Sequence, residues 1–188
     1  MSELYTVNGQ RKYLNQTERD AFLAAAKTFP EEVESFCHLL AVSGCRISEA
    51  LQLIPNRIDQ KEGVFIFETL KKRKKGIYRA VPASPTVLTM LVQIHKLRSS
   101  RNKTKPLWSW SRQHAWRLVK AVMKKADIEG AQATAKGLRH SFGVLAIQKG
   151  IPLNVLQKWL GHADIKTTAI YAEAVGAEEK ELAARMWE

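Results

Sequence analysis

Three side chains that are cationic, or can become so, lie close together in the stretch ATAKGLRHSF: Lys136, Arg139 and His140. No Asp or Glu lies within six residues of any of them. A helix start ordinarily favours acidic side chains, because its free N–H groups carry partial positive charge. A cationic helix start of this kind therefore indicates an anionic partner.

Three other stretches carry side chains of related chemistry. Arg46 stands at a helix start in SGCRISEALQL, lysines fill a turn in ETLKKRKKGIYRAVP, and LGHADIKTTAIYA holds His162 followed by Tyr171. Taken singly, each has an ordinary structural interpretation, since such an arginine usually faces solvent and such a tyrosine is usually half-buried core. Residues 139–160 alone would also suit a simple helix-turn-helix. The stretches share no cluster of carboxylates, which argues against a two-metal nuclease.

Positive charge is concentrated in the middle third of the chain. The protein has 30 Lys and Arg against 18 Asp and Glu, and its formal charge is +12. Residues 69–126 hold 16 of these cations and no acidic residue. Trp108, Trp110 and Trp116 lie among them; some are expected in the core and at least one on a sugar or base. This pattern predicts a nucleic-acid partner first, and an acidic membrane surface or protein second.

Composition further narrows the possible class of protein and its cellular compartment. A chain of 188 residues with 45% hydrophobic residues can bury a core, as one domain or two small ones. Cys37 and Cys45 form neither a metal-ligand pattern nor a disulfide framework, and we expect them as small core residues in a reducing compartment. The sequence has no signal region, no run of about 18 apolar residues and no Gly-rich phosphate loop. We therefore expect a cytoplasmic protein without a metal, a cofactor or a membrane partner.

Hydrophobic periodicity predicts a mainly α fold with one small antiparallel β-sheet (α+β). Strands are expected at 63–70 and 77–83, with 71–76 as their turn. Helices are expected at 15–29 with Asn15 or Thr17 as cap, 30–44, 49–54 with Ser48 as cap, 84–98, 111–125 with Ser111 as cap, 137–150, 152–161, 164–175 and 177–187. A Thr17–Asp20 capping box is expected in the first helix.

In this order, the four stretches resemble the tyrosine recombinase (phage integrase) family. The matching pieces are GCRISEALQL, TLK…YRAVP, LRHSF…A…G and VLQKWLGHADIKTTAIYA, and the similarity extends over roughly residues 10–175. The spacings from Arg139 to His162 and from His162 to Tyr171 are also similar to those of the family. The resemblance implies the tyrosine recombinase catalytic-domain fold and a site-specific DNA recombinase, of integrase or invertase type, that works without metal or ATP. It also implies a bacterial or phage origin.

The resemblance implies a role for each matching residue. Arg46 and Arg139 would bind the non-bridging oxygens of the scissile phosphate, because a guanidinium offers a planar fork and stays protonated. Tyr171 would be the nucleophile that forms a 3′-phosphotyrosine link and releases a 5′-hydroxyl. His162 would donate to the same phosphate oxygens; as an alternative, it interacts with the carbonyls of a helix C-terminus. His140 is expected to pack against Arg139 or hydrogen-bond behind it, without taking part in catalysis.

Lysines are expected at two further places in the site. A hairpin lysine would protonate the leaving 5′-oxygen; Lys71 is preferred because TLK resembles the family's position, and Lys72, Lys74 and Lys75 are the alternatives. Lys136 departs from the family's common histidine at this position. A protonated Lys136 would stabilise the phosphate, and it would act as a base only if a crowded cationic pocket lowered its pKa. DNA phosphates are expected to be bound by Lys72, Arg73, Lys74, Lys75, Arg112, Arg117 and Lys120.

The resemblance also sets expectations for domains and partners. We expect a single catalytic domain over 1–188, with a core at about 10–175, a helical tail at 176–188 and no N-terminal core-binding domain, either as a natural short form or as a fragment. Double-stranded DNA is the expected partner, with a tetramer assembled on it. The tail would dock on a neighbouring protomer or on its own domain. The alternative function is a DNA-binding regulator on the same fold with little or no strand cleavage.

Overall fold

The computed structural model describes residues 4–69, 76–97, 103–172 and 186. The helices are α1 (Gln16–Ala26), α2 (Glu31–Ser43), α3 (Ile47–Ala50), α4 (Pro85–Ile94), α5 (Arg112–Lys125), α6 (Ala135–Gln148), α7 (Leu153–Leu160) and α8 (Lys166–Ala169), with a short 3-10 helix at Pro55–Arg57. The strands are β1 (Ile58–Asp59), β2 (Val64–Glu68) and β3 (Tyr78–Pro82). They form one antiparallel sheet in the order β1–β2–β3. The expected fold class, mainly helical with a small antiparallel sheet, is confirmed.

Helix α2 lies at the centre of the main hydrophobic core and packs against α1, α4 and α6. Phe36 on α2 is fully buried and meets the Trp108 ring edge to face at a centroid distance of 5.0 Å. The Trp108 indole donates a 2.8 Å hydrogen bond to the Glu32 carbonyl, and Trp110 packs against the same core. Two of the three tryptophans in the basic segment are therefore structural, as a buried indole with a satisfied N–H should be.

Both cysteines are buried in this core. Burial raises the pKa of the Cys37 thiol and of the Cys45 thiol to about 12. Because the thiolate is the reactive form, such thiols are inert near neutral pH. The expectation that the cysteines are small core residues is confirmed.

A second, smaller core joins the two ends of the described chain. Leu4 packs with side chains of α6 and α7 and with Tyr171. The Leu14 N–H donates a 2.6 Å hydrogen bond to the Ser141 hydroxyl, across 127 residues of sequence. The first residues of the chain thus lie against the helices that follow the main core, and we call residues 4–14 the N-terminal strap.

Helix ends follow local capping chemistry, which corrects some predicted boundaries. The cap of α1 is Asn15 in a capping box with Glu18, so the expected Thr17–Asp20 box is wrong. Helix α4 was expected to reach residue 98 but ends at Ile94, because Lys96 takes a left-handed conformation with φ of 48°. Glycine supplies the same conformation after α2, where Gly44 has φ of 60°.

The expected third helix at 49–54, capped by Ser48, is also wrong. The structure has a single turn at α3, with Arg46 at the N-cap position. The Glu49 carboxylate accepts a 2.7 Å hydrogen bond from the Arg46 backbone N–H, which fixes the helix start two residues before the expected cap. The helix start at Arg46 positions its side chain, as described below.

Near the C-terminus, α8 covers part of the helix expected at 164–175, and Tyr171 follows it. Apart from Met186, the tail expected at 176–188 lies outside the described residues. Across the parts of the chain that the structure describes, no helix has the length and apolar character needed to cross a membrane.

Candidate active site

A cavity of about 690 Å³ opens between α3, α5, α6 and the segment that leads to Tyr171. The cavity brings together all but one of the predicted catalytic residues, namely Arg46, Lys136, Arg139, His162 and Tyr171. The remaining one, Lys71, lies outside the described residues, as do Lys72, Arg73, Lys74 and Lys75. Residues from distant parts of the sequence therefore converge on one open space.

Arg139 is held rigidly in the wall of this cavity. Its side chain rises from α6, and the residue is only 7% exposed. Its guanidinium donates 2.7 Å hydrogen bonds to the carbonyls of Gly44 and Leu160. Burial, together with the nearby Arg46 charge, lowers the pKa of Arg139 to about 10, so it stays protonated at neutral pH. A fixed, partly desolvated cation of this kind is suited to an anion that carries several oxygens.

Arg46 is the more accessible of the two arginines. Its side chain is 25% exposed and donates a 2.8 Å hydrogen bond to Glu49. The same carboxylate holds the Arg46 backbone. Glu49 thus fixes both ends of the residue and holds the guanidinium in the cavity that Arg139 also lines.

Glu49 is also paired with a second arginine that the sequence analysis did not single out. Arg79 on β3 donates to both oxygens of the Glu49 carboxylate, at 3.1 and 2.7 Å, and is only 7% exposed. It donates further to the Trp159 carbonyl at 2.7 Å. The two guanidiniums hold the pKa of Glu49 below its ordinary value, against a burial effect that alone would raise it. The carboxylate therefore stays ionised although it is buried.

One signal in the sequence could have revealed Arg79. Side chains alternate faces along a strand, and in β3 the buried positions are Arg79 and Val81. Arg79 lies opposite Phe67 of β2 in the sheet register. An arginine on the apolar face of a strand needs a buried carboxylate partner, and Glu49, three residues after Arg46, was the available one.

His162 links Arg139 to the segment before Tyr171. Its Nε2 lies 2.9 Å from an Arg139 nitrogen, and its Nδ1 lies 2.9 Å from the Thr168 hydroxyl. Because a guanidinium can only donate, Nε2 accepts in this arrangement and the proton resides on Nδ1. His162 therefore orients Arg139 in this arrangement, and its expected donation to the phosphate oxygens stays a prediction.

Tyr171 is 1% exposed, and its ring lies nearly parallel to that of His162, with centroids 6.5 Å apart. The ring packs against Gly143 of α6: a Cβ atom there would lie 2.5 Å from Cζ of Tyr171, the carbon that carries the hydroxyl. Glycine at position 143 thus makes room for the phenol.

Gly143→Ala is expected to lower the free energy of unfolding by about 1–3 kcal/mol, because overpacking forces Tyr171 or α6 to move. In an unobstructed helix the same change would stabilise the protein by about 1 kcal/mol. The sign of the change in unfolding free energy therefore shows whether position 143 is obstructed. Urea unfolding followed by far-UV circular dichroism measures it. The control is Gln148→Ala on the exposed face of α6, for which we expect a change of about 0.5 kcal/mol or less. A stabilised Gly143→Ala protein would contradict this packing.

Lys136 and His140 lie on α6 on either side of Arg139. Lys136 is exposed at the rim of the cavity, in the first turn after the Thr134 cap. His140 is buried, and its Nδ1 lies 3.2 Å from the Tyr171 hydroxyl. The ring thus contacts the phenol, a contact that the sequence did not predict, and the expected support of Arg139 by His140 stays a prediction.

The basic helix α5 forms one side of the cavity. Arg112 and Trp116 line the cavity, and Trp116 is 49% exposed. Arg117 is exposed on the same helix. Lys120 differs, because its ammonium donates a 3.0 Å hydrogen bond to the Ala133 carbonyl and thereby ties α5 to the segment before α6. Trp116 is thus the tryptophan available to a ligand.

The residues on either side of the expected basic turn lie next to His162. The Thr69 N–H donates a 2.8 Å hydrogen bond to the Ile77 carbonyl, which extends the pairing of β2 and β3 by one residue. Thr69 and Ile77 also line a second cavity, of about 300 Å³, together with His162. In the described parts of the chain, no three His, Cys, Asp or Glu side chains form a group that could hold a metal ion.

Comparisons with known proteins bear on the family and the fold of this chain. The sequence matches the model of the phage integrase family over residues 12–177. Tyrosine recombinase XerA of Pyrococcus furiosus is 31% identical over 156 residues, which are 78% of this chain and 52% of that protein. The chain spans roughly half to three fifths of the length of the curated relatives it matches, with shares such as 52% and 61%.

Solved structures share the fold. The XerH site-specific recombinase bound to its difH substrate in a pre-cleavage complex has a TM-score of 0.72 at 24% identity, over 98% of this chain and 60% of that one. The catalytic domain of bacteriophage HP1 integrase has a TM-score of 0.69 at 23% identity, over 92% of this chain and 93% of that one.

Proposed function

The chain belongs to the phage integrase family, and on that premise we propose that it is a site-specific DNA recombinase. Tyr171 attacks a phosphodiester, forms a 3′-phosphotyrosine link and releases a 5′-hydroxyl. The 5′-hydroxyl of a partner strand later attacks this link and displaces Tyr171. The observation that carries the proposal is the cavity in which Tyr171 meets Arg46, Arg139 and His162. A DNA phosphate is the anion that this phenol and the two guanidiniums suit together.

The electrostatics of the cavity fit the transition state of this reaction. Negative charge builds on the non-bridging oxygens as the phosphorus becomes five-coordinate, and fixed donors stabilise it without reorganisation. Arg139 is fixed by the Gly44 and Leu160 carbonyls and Arg46 by Glu49. Two guanidiniums anchored independently can hold two oxygens at once.

The two steps exchange one phosphate ester for another of similar free energy. The Tyr171 oxygen forms a bond to phosphorus, the bond to the 5′-oxygen breaks, and a lysine of the 71–75 turn protonates that oxygen. We favour Lys71 for this role. Support comes from the described residues on either side of that segment, because Thr69 and Ile77 line the same cavity as His162.

DNA binding is proposed for the basic face beside the cavity. Arg112 and Arg117 are exposed on α5 and suit backbone phosphates, whereas Lys120 is partly occupied by the Ala133 carbonyl. Trp116, half exposed at the cavity, is suited to stack on a sugar or base. Double-stranded DNA is therefore the proposed partner, with the chain acting as one catalytic domain that self-associates as a tetramer on DNA.

A covalent adduct tests the proposal. Nicked duplexes made from the DNA that flanks the gene are incubated with the protein, and denaturing electrophoresis separates protein-linked strands. We expect an adduct with the wild-type chain and none with Tyr171→Phe. Tyr13→Phe, which removes a hydroxyl whose partner is Tyr5, should leave the adduct unchanged. An adduct that persists in Tyr171→Phe refutes the assignment, and tight DNA binding without any adduct would favour a DNA-binding regulator.

A further inference from the structure

The contact between His140 and Tyr171 has no role in the reaction described so far. His140 is 4% exposed, and its Nδ1 lies 3.2 Å from the Tyr171 hydroxyl oxygen. The ring centroids are 5.9 Å apart and the planes are tilted by 55°. Nδ1 of the imidazole therefore lies within hydrogen-bond distance of the nucleophilic oxygen, where it can donate or accept.

The other ring nitrogen decides which of these it does. Nε2 of His140 is buried and has no hydrogen-bond partner among the described residues. A buried N–H without an acceptor is rarer and more costly than a buried lone pair without a donor. The neutral ring therefore carries its proton on Nδ1 and leaves Nε2 bare. In this tautomer Nδ1 donates to the Tyr171 oxygen.

The surroundings keep the ring neutral. Burial lowers the pKa of His140 to about 4, and the positive charges of Lys136 and Arg139 on its own helix and Lys12 on the N-terminal strap act in the same direction. An imidazolium formed by taking the phenol proton would face all of these cations. A neutral donor is consequently the state in which the ring can serve Tyr171.

We propose that His140 is a catalytic residue whose Nδ1–H donates to the Tyr171 oxygen and stabilises its phenolate form. The inference rests on the proposed function. The phenol proton first leaves to solvent, the phenolate oxygen then bonds to phosphorus, and the 5′-oxygen takes a proton from a hairpin lysine as its bond breaks. In the reverse step the phenolate is the leaving group, and the same N–H donates a hydrogen bond to its oxygen.

This role explains how the site works with lysine at position 136. Lys136 is exposed at the rim, whereas His140 lies in direct contact with the reacting oxygen. A phenol has a pKa near 10 in water, so any donor to its oxygen raises the small phenolate fraction at neutral pH.

The first measurement needs no DNA. The protein, with its four tyrosines labelled with carbon-13 at Cζ, is titrated by NMR, and the Tyr171 resonance is identified by its loss in Tyr171→Phe. We expect His140→Leu to raise the Tyr171 pKa by about one unit. His140→Asn, whose amide nitrogen can occupy the place of Nδ1, should restore most of the shift. Gln148→Ala should leave the titration unchanged.

The second measurement is the rate of adduct formation on the nicked duplex. We expect it to fall about tenfold in His140→Leu, in line with general values for one activating group, and to recover in His140→Asn. Equal losses in the two variants would indicate packing and overturn the proposal, as would an unchanged Tyr171 titration in His140→Leu. A titration that moves in Lys136→Ala but not in His140→Leu would assign the donor to Lys136 and also overturn it. If the wild-type chain forms no adduct while the titration behaves as expected, the proposed function fails and the Nδ1–H contact stands.

Discussion

Arg79→Met is expected to lower the free energy of unfolding by about 3–5 kcal/mol at pH 7, the usual loss when one partner of a buried ion pair is removed. Glu49 is 2% exposed, and Arg46 would be its one remaining ionic partner among the described residues. The Trp159 carbonyl would lose its donor as well. Urea unfolding of both proteins measures the difference. Arg11→Met is the matched control, because the pair of Arg11 with Glu18 is more exposed and should cost about 1 kcal/mol or less.

The effect of Arg79→Met should shrink as the pH falls. In the wild-type chain the pKa of Glu49 is held below its ordinary value of 4.5, so this group stabilises the fold above that value and loses its contribution as the pH falls through the depressed pKa. Without Arg79, burial raises the Glu49 pKa, so protonation stabilises the variant as the pH falls. Unfolding at pH 7 and pH 4 checks the sign. A difference that grows at pH 4 would contradict the pairing.

Arg139→Lys is expected to slow adduct formation about 100- to 1000-fold, as removal of one transition-state donor does in other enzymes. Lysine keeps the charge, but a single ammonium cannot reach the Gly44 carbonyl, the Leu160 carbonyl and His162 together. Single-turnover cleavage of the nicked duplex at saturating protein isolates the chemical step. Arg11→Lys, whose side chain does not line the cavity, is the control and should react at the wild-type rate.

Arg139→Lys also distinguishes the effect of the positive charge at position 139 from that of the anchored guanidinium geometry. If an unanchored positive charge at this position were sufficient, Arg139→Lys would cleave at a rate near that of the wild-type chain, and the argument from fixed guanidiniums would fail. Thermal unfolding monitors the fold in parallel, because two buried carbonyls lose their donor. The rate is compared only at temperatures where both proteins are folded.

The sequence predicted the residues of the cavity better than the contacts among them. Arg46, Arg139, His162 and Tyr171 were identified from ordered stretches, and the fold class followed from periodicity. The Glu49–Arg79 pair depends on the packing of α3 against the sheet, which brings together residues 30 positions apart. No local pattern encodes that packing, although the apolar face of β3 could have indicated a buried arginine.

Short-range chemistry explains the other differences. Ser48 was a reasonable cap, but Glu49 reaches back to the Arg46 N–H and starts α3 earlier. His140 follows Arg139 in sequence, which suggested a supporting role. On a helix, consecutive residues point about 100° apart, so the two side chains reach different partners.

The N-terminal strap and the convergence of distant segments have a consequence for the order of synthesis. Leu14 binds Ser141 across 127 residues, and Gly44 binds Arg139 across 95. Ribosomes add about 5–20 residues per second, so Arg46 is made roughly 6–25 s before Tyr171. During that interval the basic middle segment is made, but Tyr171 and the complete cavity around it are not yet present. On the proposed function, a growing chain therefore cannot form the covalent adduct until Tyr171 has been added.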